Sequence, residues 1–80
     1  MTTSEEAMAN LASRLEGMAE ELTDMAIDAL RRATSGDPDS LEAGQALSAE
    51  RRIVRARRAV EKAVSVLGEG SRGESLDDGA

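Results

Sequence analysis

Apolar residues recur in the first half of the chain at alternating steps of three and four: Met8, Leu11, Leu15, Met18, Leu22, Met25 and Ala29. That spacing keeps side chains on one face of an α-helix, and its period of 3.5 is the a/d repeat of a coiled coil. With Met8 at position a, Ala12, Ala19, Ala26 and Ala33 fall at e and widen the stripe on one side. Ile27 and Leu30 lie outside it, near the end of the pattern, and point to a second contact there. A second stripe steps the same way through Ala46, Ala49, Ile53, Ala56, Val60, Ala63 and Leu67, with Leu47, Val54 and Val64 broadening one flank. The two stripes predict two long helices. The expected hairpin seam is carried by Met8, Leu11, Leu15, Met18, Leu22 and Met25 on one helix and Ile53, Val60 and Leu67 on the other.

Local signals set the boundaries. Thr3-Ser4-Glu5-Glu6 reads as a capping box, a hydroxyl followed three residues later by a carboxylate, so the first helix starts near Thr3. Ser35-Gly36-Asp37-Pro38-Asp39-Ser40 interrupts the pattern. Gly36 suits a helix end, and Pro38 disfavours a helical Asp37 while suiting a new first turn. Asp39 with Glu42 offers a capping pair for the second helix. The predicted helices cover about residues 4–34 and 39–67, and Gly68 ends the second. Gly44, Gln45 and Ser48 dilute the pattern and leave open whether 39–47 is helix or loop. From Glu69 to Ala80 the chain is Gly, Ser, Asp and Glu rich, which predicts a disordered acidic tail.

The fold class is therefore all-α: an antiparallel two-helix hairpin over residues 1–68, followed by the tail 69–80. A short connection between two long helices makes them antiparallel neighbours. The period predicts a left-handed crossing near about +20°.

Composition changes this picture in one respect. Phe, Tyr and Trp are absent, so any core is Ala, Leu, Val, Ile and Met. Below roughly 70–80 residues a lone core rarely supplies more than about 3–5 kcal/mol, and small chains add disulfides, a metal or a partner. Cysteine and histidine are both absent. Disulfides are excluded, and so are the usual zinc ligands. The apolar stripes are also wider than one neighbouring helix covers. Self-association remains, and a homodimer forming a four-helix bundle is the expected assembly.

Charge is arranged by face. Net charge is −6. The first helix carries Glu16, Glu20, Asp24 and Asp28 at i, i+4 spacing, plus Glu21. The second carries Arg51, Arg52, Arg55, Arg57, Arg58 and Lys62. Arg51 and Arg58 fall at f, and Arg55 and Lys62 at c, which turns them away from the seam as a basic outer stripe. Arg52 at g and Arg57 at e can reach across, with Glu21 and Asp28 as the expected counterparts. The candidate partner-facing residues are Arg51, Arg55, Arg58, Lys62, Ile27, Leu30 and Val54. A solvated face explains the basic stripe most simply; an acidic protein surface is the functional alternative. Direct nucleic-acid binding ranks below both, because net charge is negative and no aromatic is available for base stacking.

Other chemistries find little support. Asp37, Asp39 and Glu42 surround a turn but lack the alternating ligands and glycine of an EF-hand loop. Met8, Met18 and Met25 sit at seam spacing and read as core filler rather than metal ligands. Carboxylates and Lys62 are the remaining general bases, and no Gly-rich phosphate loop is present. No catalytic, metal or cofactor-binding residue is expected, and the chain reads as non-enzymatic. No apolar run spans a bilayer, and Met1–Glu6 lacks the basic and apolar stretches of a signal peptide. A cytoplasmic protein without a membrane partner is the expectation. The preference for arginine over lysine, with Lys62 alone, is a compositional mark of GC-rich bacterial coding. The functional expectation is a small helical interaction protein, self-associating or docking on a protein partner. The alternative is an accessory subunit of a larger enzyme or nucleic-acid complex.

Overall fold

The computed structural model of the chain describes residues 3–69, and these form two helices, α1 (Ser4–Thr34) and α2 (Leu41–Leu67), packed as a hairpin. The capping box forms as the sequence implies. Thr3 is extended, its hydroxyl accepts from the Glu6 N–H at 3.0 Å, and Glu6 Oε1 accepts from the Thr3 N–H at 3.0 Å. Two of the orphan donors at the start of α1 are thereby satisfied. Glu5 and Glu6 in the first turn and Arg31 and Arg32 in the last complement the helix dipole.

The break differs from the expectation in detail. Ser35 is the C-cap of α1, and Gly36 follows without a left-handed backbone. Asp37 Oδ1 accepts the Asp39 N–H at 3.0 Å, and the Asp37 carbonyl accepts the Ser40 N–H at 3.1 Å, so Asp37 organises the turn. Ser40, not Asp39, caps α2: its hydroxyl accepts from the Ala43 N–H at 3.0 Å. Asp39 lies inside the turn that the Asp37 side chain and carbonyl close, and Ser40 has the extended backbone of an N-cap (φ −72°, ψ 155°). The second helix consequently starts at Leu41, and the diluted segment around Gly44, Gln45 and Ser48 is helical throughout. Gly68 is the C-cap, donating its N–H to the Val64 and Ser65 carbonyls. The expected acidic tail lies outside the described residues apart from Glu69, which is exposed.

The line of contact between the helices is displaced from the a/d positions to a/e. Along α1 the buried and half-buried residues run Met8, Ala12, Leu15, Ala19, Leu22, Ala26, Ala29 and Ala33. Along α2 the same line runs Ala43, Ala46, Glu50, Ile53, Arg57, Val60, Val64 and Leu67, with Ala49 and Ala63 half-buried on one side of it and Val54 on the other. Leu11, Met18 and Met25, expected on the seam, stand beside it, 42%, 47% and 52% exposed. Alanine is the physical reason. Interaxial distance depends on the side chains at the contact, and small ones let helices approach to the short end of about 8–10 Å. Centring the contact on Ala12, Ala19, Ala26 and Ala33 brings the backbones close and pushes the longer d side chains to the rim. On α2 the same shift turns Ala56 out to solvent and Arg57 inward.

A close contact of small residues buries little. Among the described residues the buried ones are Ala19, Ala29, Ala33 and Ala43, and no large side chain is fully buried. Leu15, Leu22, Ile53, Val60 and Leu67 are covered only in part.

Candidate interaction surfaces

Two flanks with exposed apolar residues run beside the contact line, one on each face of the hairpin. The level of one helix against the other follows from three contacts. Arg57 meets Thr23, Ala29 shares a groove with Ala49, and Ala19 lies near Val64.

The first flank carries the displaced d residues of α1, Leu11, Met18 and Met25. Beside them stand the d and g residues of α2, which are Ala49, Ala56, Ala59, Ala63 and Val66. Its turn-proximal part is an open groove of about 480 Å³ in which Met25 and Ala29 face Ala46, Ala49 and Ile53, with Asp24, Asp28 and Arg32 on the α1 rim. Towards the other end it continues through Met18, Ala59, Leu11 and Val66, all exposed. The α1 border is acidic along Glu21, Asp24 and Asp28 and ends in Arg32 near the turn, and the α2 border is basic, where Arg52 and Arg55 stand exposed.

On the second flank, a smaller groove of about 170 Å³ has Thr23, Ile27, Leu30, Glu50, Val54 and Arg57 in its lining. It is apolar only in the half nearest the turn. Beyond Thr23 it passes into Glu16, Glu20 and Glu61. Of the residues singled out in the sequence, Ile27, Leu30 and Val54 therefore converge on one surface, with Ile27 and Leu30 exposed and Val54 half-buried.

Arg57 ties this flank together. Its Nη1 donates to Thr23 Oγ1 at 3.2 Å, and Thr23 Oγ1 donates to the Ala19 carbonyl at 3.1 Å. Arg57 Nε lies 3.8 Å from Glu61 Oε2, an ion pair too long for a hydrogen bond, so the buried Nε donor has no hydrogen-bond partner. Position e marked Arg57 as a residue that reaches across, but toward Glu21 or Asp28. The structure gives it a threonine hydroxyl instead. Asp28 pairs within its own helix with Arg32 at 3.1 Å. Among the described residues no ion pair joins α1 to α2. The polar link to Thr23 escaped the sequence reading because Thr23 sits at b, a position the a/d seam would turn away from the partner helix.

The basic stripe Arg51, Arg55, Arg58 and Lys62 is exposed along the outside of α2. Arg51, Arg55 and Arg58 rim a shallow surface with Glu50 and Val54. Among the described residues no cluster of three or more acidic side chains converges as a metal site. Nor is any helix long and apolar enough to cross a membrane. No protein-family model, curated protein or solved structure matches this chain.

Proposed function

We propose that this chain is a small non-enzymatic interaction protein that pairs with a second copy of itself as a four-helix bundle. The observation carrying this reading is the burial pattern: among the described residues only alanines are buried, while Leu11, Met18, Met25, Ile27, Leu30 and Val66 are each exposed by 42–52%. Large aliphatic side chains are worth about 1.5–3 kcal/mol each when fully buried. Two helices leave most of that unrealised, and a second hairpin laid across a flank would recover part of it. Size-exclusion chromatography with light scattering tests the reading. The expected mass at micromolar concentration is twice the chain's 8.4 kDa. A well-folded species at 8.4 kDa would refute it.

The turn-proximal patch of Ile27, Leu30 and Val54 favours a second reading, an accessory subunit whose apolar patch docks on a different protein. This reading predicts a chain that is partly unfolded or aggregated alone and gains helicity only with that protein.

A further inference from the structure

We infer that the second copy docks on the flank carrying Leu11, Met18 and Met25, in one orientation: α1 of each protomer lies over α2 of its partner, with both turns at the same end. The inference rests on the self-association proposed above and names its face and geometry.

Two hairpins stacked face to face by a two-fold axis have two arrangements. An axis along the helices places α1 over the partner's α2 and both turns together. An axis across the helices places α1 over the partner's α1, with the turns at opposite ends. The side chains on this flank distinguish them twice, by shape and by charge.

Shape comes first. The large residues of the flank belong to α1 and the small ones chiefly to α2. In the hairpin register Met18 stands level with the stretch from Lys62 to Ser65, which includes Ala63, and Met25 with the stretch from Ile53 to Ala56. An axis along the helices preserves level, so each methionine meets alanines of the partner's α2, a projection set against a recess. The other axis sets Met18 on Met18 and Leu11 on Met25, while the alanines of α2 face alanines across a gap. Cores pack best when large and small positions alternate across the contact.

Charge makes the same choice. The α1 border of this flank carries Glu21, Asp24 and Asp28, and the α2 border carries Arg52, Arg55 and Lys62. Asp24 and Asp28 stand level with Arg55 and Arg52. Placing α1 over the partner's α2 sets the acidic border against the basic one on both sides of the bundle. In the register that sets Met18 on Met18, the other axis brings only Arg14 to Glu21 and leaves Asp28 without a cation at its level. Arg14 occupies one end of the α1 border and Arg31 and Arg32 the other, level with Val66 and with the stretch from Ala46 to Ala49 rather than with the arginines. Asp28 keeps its exposed Arg32 neighbour in its own helix and remains open to a second cation.

Area separates this flank from the other. From Leu11 to Arg32 the face is about 30 Å long, and two adjacent helices make it about 20 Å wide. Stacking two such faces removes roughly 1,200 Å² from water, above the roughly 1,000 Å² that a specific interface requires. The flank with Ile27, Leu30 and Val54 is apolar over about half that length, since Glu16, Glu20 and Glu61 occupy the remainder.

The test uses the full chain, which has no cysteine. Gly36→Cys introduces a nitroxide site in the turn, where a Cβ meets nothing within 4 Å. Pulsed dipolar spectroscopy on the dimer should give about 15–30 Å between labels; turns at opposite ends would lie a helix length apart, about 45 Å or more. In parallel, Met18→Glu should weaken dimerisation at least tenfold while Leu30→Glu leaves it unchanged. Arg52→Glu should also weaken it, and adding Asp28→Arg should restore it, a recovery that misfolding cannot produce. A dimer with the long separation, or one broken by Leu30→Glu and not by Met18→Glu, overturns this geometry while leaving self-association standing. A wild-type chain that stays monomeric overturns both.

Discussion

Ala19→Leu tests where the helices touch. Ala19 is 8% exposed, on the contact line beside Val64, while its neighbour Met18 is 47% exposed. Leucine adds three carbons. If room existed, their burial would stabilise by roughly 2.4 kcal/mol, at about 0.8 kcal/mol per carbon. The approach is instead set by a run of alanines above and below, at Ala12 and Ala26, so a single leucine must part the helices over several turns. Inserting carbons into a closely packed contact destabilises by about 1–3 kcal/mol overall, because the forced separation outweighs the added burial. For a domain of this size each kcal/mol lowers the melting temperature by about 4–8 °C. Met18→Leu, a swap of similar volume on the rim, should change stability by less than about 1.5 kcal/mol. Urea unfolding followed by circular dichroism at one fixed protein concentration reads both, fixed because association makes stability concentration-dependent. An Ala19→Leu chain as stable as the wild type, or more so, would place the contact on the a/d line and refute the shifted seam.

Two further outcomes follow from local structure. Gly17→Ala and Gly44→Ala should each stabilise by about 0.5–1 kcal/mol, because both sit inside helices where a Cβ meets nothing within 4 Å; thermal melts check this. Thr3→Ala and Ser40→Ala should each destabilise by about 0.5–2 kcal/mol through loss of the caps, whereas Asp39→Ala should have a smaller effect, since its side chain caps nothing; the same melts rank the three.

Much of the architecture was legible because it rests on local rules. The 3.5-residue period, the capping box at Thr3 and the break at Pro38 define two helices and a short connection, and the structure has those elements. The seam was less legible. Periodicity reports which residues share a face but not which line on a broad face meets the neighbour. Here Leu11, Met18 and Met25 compete with Ala12, Ala19 and Ala26. A reading that ranks positions by hydrophobicity chooses the former, while close backbone approach selects the latter. Ser40 and Asp39 show the same limit at shorter range: both are good cap residues, and the Asp37 turn decides between them. Thr23 and Arg57 meet only because the seam shifted, so no pattern confined to one helix could have paired them. The flank between Met18 and Ala59 is likewise a product of the shift, since an a/d seam would have consumed it.

The account holds that one hairpin does not complete its own core. A dilution series read simultaneously by sedimentation equilibrium and circular dichroism tests that claim most directly. It predicts a species of twice 8.4 kDa at micromolar concentration, and helicity that falls as dilution dissociates it. A chain that sediments at 8.4 kDa and keeps its full helicity at every concentration would contradict it.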